Sequence, residues 1–223
     1  MMSSDDGTTF WRKAFFVTAL AYLILLPVLW FPLTSLLKPL PILCLLGLCL
    51  NSRLVTKSRH LLSVALIFSV CGDIALTLPL TQQLEVGLGL FLLAHCAYIR
   101  LFTRSVNVTV RSLLLSLALI IVSAIFFYWI RPDLAALQLP VALYLSVITL
   151  MAISAFLGDG HSRKTAFGAL CFMGSDALIA LNHFIYPASN FALMVMLGYY
   201  TAQYCIVTGV LSGASEMRPG LAV

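Results

Sequence analysis

The stretch SVCGDIALTL, residues 69–78, sets a bare carboxylate, Asp73, inside an apolar run long enough to cross a membrane. A second stretch of the same kind, FMGSDALIAL at residues 172–181, carries Asp176. The remaining acids, Asp5, Asp6, Glu85, Asp133, Asp159 and Glu216, all fall in or beside predicted loops or tails. Ionisable side chains at membrane depth are costly and by default mark a functional site.

Composition sets the surroundings of those two carboxylates. The chain of 223 residues is 61% hydrophobic and 9% charged, with a mean hydropathy of +1.04. That excludes a soluble domain and predicts a polytopic membrane protein. No hydrophilic stretch is long enough to fold separately, so residues 1–223 are expected to form a single integral-membrane domain with short tails at 1–12 and 212–223. The net charge of +5 then reads as membrane topology, and no nucleic-acid partner is expected. The six cysteines lie in apolar runs without ligand-like spacing and read as small buried side chains.

A membrane helix needs about 20 apolar residues. Charged and Pro/Gly/Asn-rich breaks give eight predicted spans, at 13–31, 35–50, 60–78, 85–102, 111–130, 138–157, 165–185 and 190–211. The fold expected is all-α, a bundle of eight transmembrane helices. Arg12, Lys13, Arg53, Lys57, Arg59, Arg100, Arg104, Arg111, Arg163, Lys164 and Arg218 fall on one side, against Lys38 and Arg131 on the other. The positive-inside rule puts both termini in the cytoplasm, with the inner membrane as the site if the source is bacterial.

The two Asp spans are third and seventh, which suggests two four-helix repeats. His95 in the fourth span and Gln203 in the eighth sit near tyrosines, Tyr98 in one case and Tyr199 and Tyr200 in the other. His95 and Tyr98 are three residues apart, and Tyr199 and Gln203 four apart, so each set shares a helix face. Asp176 and His183, seven apart, share one as well. The structural alternative is interhelical hydrogen bonding, worth about 0.6 kcal/mol per bond.

Two carboxyls in one low-dielectric pocket do not both ionise at neutral pH. One protonated and one ionised carboxyl make an acid and a base. Cleaving an ether or acetal-like bond needs that combination, since the acid supplies a proton while the carboxylate offsets an oxocarbenium-like cation and directs water. A proton-coupled carrier uses a carboxylate pair too. A zinc-dependent intramembrane lipid hydrolase with Asp73, Asp176, His95 and His183 as ligands is the third reading; it lacks an HxxxH spacing.

From about Leu36 to Leu211 the chain resembles the YhhN family of membrane proteins, also called the transmembrane protein 86 group. The resemblance is carried by Lys38-Pro39-Leu40-Pro41, Gly72-Asp73, Ala94-His95 with Tyr98, Ser175-Asp176 through Asn182 to Pro187, and Tyr199-Tyr200 with Ala202-Gln203. It implies a lysoplasmalogenase, which hydrolyses the vinyl ether bond of a lysophospholipid to a fatty aldehyde and glycerophosphoethanolamine or glycerophosphocholine. The family's two functional aspartates fall on Asp73 and Asp176. Lys38 is then expected to meet the substrate phosphate or to snorkel to the interface, and His95, Tyr98, Asn182, Tyr200 and Gln203 to line the substrate site. The partners implied are the vinyl-ether lysolipid and membrane lipids, and neither a metal nor another cofactor is called for.

Overall fold

The computed structural model describes residues 4–158, 162–187 and 190–216. Among the predicted loop and tail charges, Asp159 and Arg218 lie outside the described residues, as does most of the tail 212–223. The chain is all-α and polytopic. Its first pass is α1 (Ser4–Leu25), and its second is split into α2 (Leu33–Leu37) and α3 (Leu40–Leu50). Then follow α4 (Thr56–Ala75), α5 (Gln83–Phe102), α6 (Val110–Ile130), α7 (Gln138–Leu157), α8 (Arg163–Ala180) and α9 (Ala192–Glu216). Among the described residues, seven passes are long and apolar enough to cross a membrane, the joined α2–α3 segment included; α1 is not one of them.

Helix ends follow local chemistry. Thr109 and Ser112 form a capping box at the start of α6, and the Ser162 side chain accepts from the Lys164 backbone N–H at the start of α8. Several boundaries differ from those read in the sequence. Helix α1 begins at Ser4, so residues 4–12, expected as tail, are helical, and it stops at Leu25, two residues before Pro27. Helix α4 ends at Ala75 rather than Leu78, because Pro79 disfavours the helical conformation in the residue before it. Beyond Ala180, α8 passes into a π-helical turn at Leu181–Ile185, closed by a hydrogen bond of 2.8 Å from Tyr186 N–H to the Leu181 carbonyl.

The chain divides into two compact units, one running to Leu101 and taking in the end of α9 from Ala214, the other spanning Phe102–Gly213. The division falls at the end of α5. In the first unit α3 packs on both α1 and α4. Helices α4 and α5 meet through glycine: a Cβ on Gly72 would come within 2.8 Å of the Phe91 ring, and one on Gly87 within 2.6 Å of the Leu76 side chain. In the second unit α7 packs between α6 and α8. Outward faces stay apolar, with Leu113, Leu117, Ile121 and Ile125 of α6 exposed, as lipid contact requires.

Helices α8 and α9 approach closely at Gly168, where a Cβ would lie 2.7 Å from the Ala202 carbonyl oxygen and 2.9 Å from the Ile206 backbone nitrogen. Neither backbone atom can swing aside as a side-chain tip can. Gly168→Ala is therefore expected to cost about 1–3 kcal/mol, read as a lower melting temperature in detergent. Gly174→Ala, with nothing within 4 Å of its Cβ, should melt like the wild type to within the small effect of helix propensity. Equal melting of the two variants would contradict the close approach.

Candidate active-site carboxyls

Asp73 lies two residues from the end of α4, about 25 Å along the helix from Thr56 at 1.5 Å per residue. It is 1% exposed, and its Oδ1 sits 3.6 Å from Nζ of Lys38, whose side chain is 12% exposed. Lys38 occupies the break between α2 and α3. Pro39 and Pro41 lack the N–H groups that would bond the carbonyls of Ser35 and Leu37, so the regular ladder stops there. Three residues before Lys38, Ser35 accepts a hydrogen bond of 2.9 Å from Thr77, four residues after Asp73. The two contacts form successive rungs between the second pass and α4. Tyr22 of α1 is buried within electrostatic reach of Asp73.

Lys38 thus has a partner that its place in the sequence did not announce. It was expected at a phosphate or at the interface, and its ammonium is found on a buried carboxylate. Gly72, beside Asp73, has a packing role, since the Phe91 ring occupies the space a side chain would fill. His95 and Tyr98 are both fully buried. His95 lies one turn past Phe91, hence on the face of α5 that meets α4.

Asp176 is half-buried on α8, and its Oδ2 accepts a hydrogen bond of 2.5 Å from the hydroxyl of Tyr144 on α7. Tyr144 is buried and was missed in the sequence, where it reads as one aromatic in an apolar helix. On the α9 side, the Ser175 hydroxyl donates to the Val195 carbonyl at 2.9 Å, and the Phe172 ring meets Tyr199 edge-on at 5.4 Å. Gln203 is fully buried and its Nε2 donates to the Tyr199 hydroxyl at 3.4 Å, while Tyr200 beside it is also buried.

Asn182 and His183 fall in the π turn. The Asn182 side-chain oxygen accepts from the Phe191 backbone N–H at 3.4 Å, tying the turn to the segment that leads into α9. The shared face inferred for Asp176 and His183 assumed continuous α-helix. The wider π turn breaks that register, and His183 is exposed with its ring against Phe184. Among the described residues no group of three or more His, Cys, Asp or Glu side chains is arranged to hold a metal ion.

Fold and site together define a polytopic helical membrane protein with a carboxyl in each of two spans, each carboxyl held by a polar partner. The YhhN family pattern matches residues 33–210, and the chain belongs to that family. It is 30% identical over 165 residues to a lysoplasmalogenase of Mycobacterium tuberculosis, covering 71% of this chain and 63% of the relative. It is 31% identical over 207 residues to human lysoplasmalogenase TMEM86B, covering 90% and 86%. With bovine lysoplasmalogenase TMEM86A the identity is 30% over 211 residues, covering 86% and 85%. The match therefore spans less than two thirds of the mycobacterial relative. No solved structure matches the chain.

The Lys38–Asp73 contact predicts a particular pattern of stability. Breaking a buried pair from one side strands a charge, at a cost of about 3 kcal/mol. Asp73→Asn and Lys38→Met are each expected to lower the melting temperature, and the double variant to recover most of the loss. Additive losses in the double variant would mean the two side chains are not coupled.

Proposed function

We propose that the protein is a lysoplasmalogenase, hydrolysing the vinyl ether of lysoplasmalogens to a fatty aldehyde and glycerophosphoethanolamine or glycerophosphocholine. The reading is carried by two intramembrane carboxyls, Asp73 and Asp176, both inside the family-matched region and each with a polar partner of its own. The relatives' names point the same way.

The chemistry suits the substrate. A vinyl ether is electron-rich at the carbon remote from oxygen, so a carboxylic acid protonates it there and leaves an oxocarbenium ion. A carboxylate directs water onto that cation, and the hemiacetal formed collapses to aldehyde and alcohol. Asp73 and Asp176 are the catalytic pair in this reading. His95, Tyr98, Tyr200 and Gln203 orient water and the glycerol, Asn182 holds the turn beyond Asp176, and Lys38 serves Asp73. No cofactor enters. The whole chain acts as one membrane domain with both termini in the cytoplasm, in the cell membrane if the source is bacterial. Each aspartate then lies towards the end of its helix remote from the cationic loops, and the lipid's single chain enters sideways between helices.

One observation favours a proton-coupled carrier as the second reading: the second pass is broken at Lys38-Pro39, and α8 turns π-helical five residues after Asp176. Carriers place interrupted helices at their binding sites. Purified protein in detergent separates the two, because an enzyme releases aldehyde without any gradient. We expect release of fatty aldehyde from a vinyl-ether lysolipid, unchanged by strong chelators, and no cleavage of the saturated alkyl-ether analogue. Asp73→Asn and Asp176→Asn should each lower turnover at least about 100-fold. Ester cleavage at a comparable rate would point to acyl transfer, and loss of activity in chelator restored by zinc would point to a metal hydrolase.

A further inference from the structure

We propose that the cleft where α6 and α8 begin and α7 ends is a binding site for an anionic phospholipid of the bilayer. Arg111 and Arg163 hold its phosphate, and its chain lies along Leu115, Phe167 and Leu170. The site goes beyond vinyl-ether hydrolysis and does not depend on it.

The three helix ends enclose a cavity of about 340 Å³, and local chemistry fixes its walls. The Thr109–Ser112 capping box sets the start of α6, and Ser162 caps α8. The Asn107 N–H donates to the Leu157 carbonyl at 2.8 Å, tying the loop before α6 to the last residue of α7. Arg111 and Arg163 come from different helices and border the same cavity. Both are exposed, and among the described residues neither has an ion pair. A guanidinium presents a fork of N–H donors matched to two phosphate oxygens. Ser162 adds a hydroxyl at the rim, whose oxygen accepts from the Lys164 N–H at 3.3 Å and whose proton has no acceptor among the described residues. A choline lipid, by contrast, brings a further positive charge to a cleft that already holds two.

Below the arginines the lining turns apolar. Arg163, Phe167 and Leu170 stand at i, i+4 and i+7 on α8, and Arg111 and Leu115 at i and i+4 on α6, so each helix shows a cation and, one turn deeper on the same face, hydrocarbon. Phe167 and Leu170 are 55% and 38% exposed, which opens the cleft sideways to lipid. Charge followed by hydrocarbon is the order of groups in a phospholipid; inorganic phosphate would use the rim alone. Sites for small ligands run from about 300 to 1,000 Å³, so this one takes a headgroup and the top of a chain while the rest of the lipid stays in the bilayer. Basic clefts between spans suit acidic headgroups. Lys164, the next residue, lies within electrostatic reach of Cys205 on α9 instead. Asp176 is about 20 Å further along α8 at 1.5 Å per residue, so the cleft is separate from the Asp176 site.

Native mass spectrometry of the full chain in dodecyl maltoside tests the site, with dioleoyl phosphatidylglycerol, dioleoyl phosphatidylcholine and inorganic phosphate as probes. The wild type should hold phosphatidylglycerol at least about fivefold more tightly than phosphatidylcholine, and inorganic phosphate should not displace it. Arg111→Gln and Arg163→Gln should each weaken phosphatidylglycerol binding about fivefold, and the pair about 25-fold. Lys164→Gln removes the same charge at the same helix end and should bind as the wild type does. Equal binding of the two lipids, displacement by phosphate, an unaffected double variant, or a loss in Lys164→Gln as large as in the arginine variants overturns the proposal. Photolabelling of the wild type, using phosphatidylglycerol with a diazirine on its chain, needs no variant to fold. Label should fall at Leu115, Phe167 and Leu170, and label confined to other helices overturns the site. None of these readings uses turnover, so failure of the lipid site and failure of the hydrolysis reading are told apart.

Discussion

A lysine ammonium and an aspartate carboxylate buried against each other inside the membrane span constrain everything around them. Neither charge is tolerable alone at that depth, so the chain must deliver both to one point. It does so with a helix break. Pro39 and Pro41 interrupt the second pass where Lys38 has to turn towards α4, and the Ser35–Thr77 hydrogen bond fixes the register one turn away. Gly72 then leaves room for the Phe91 ring against α4 beside Asp73.

The second unit holds its carboxyl differently. Asp176 answers to a neutral phenol on α7, and α8 is gripped on its other side by α9 through Gly168, Ser175 and the Phe172–Tyr199 ring contact. Small residues allow that grip, since van der Waals contact and hydrogen bonds hold helices together where lipid is as apolar as the side chains. Just past Asp176 the helix widens into a π turn, packed on Ile130 and Leu134 through Leu181 and Phe184. Such turns are frequent at functional sites.

Much of this was legible in the residues, and the rest was hidden for physical reasons. Hydropathy located the passes, and the isolation of Asp73 and Asp176 in apolar runs singled out the two carboxyls. Their partners were invisible because pairing across helices leaves no spacing signature: Lys38 lies in another pass, and Tyr144 is one tyrosine in an otherwise apolar helix. The face assigned to Asp176 and His183 failed because a π turn keeps the letters and changes the angle per residue. The start of α1 was placed late because Arg12 and Lys13 read as the border of a span, whereas the helix passes straight through them.

The account turns on a proton moving from a carboxyl to carbon. Turnover of a vinyl-ether lysolipid in deuterium oxide, with the aldehyde trapped as it forms and weighed by mass spectrometry, tests that step directly. The account predicts one deuterium, on the carbon next to the carbonyl. Aldehyde released without deuterium at that carbon would contradict it.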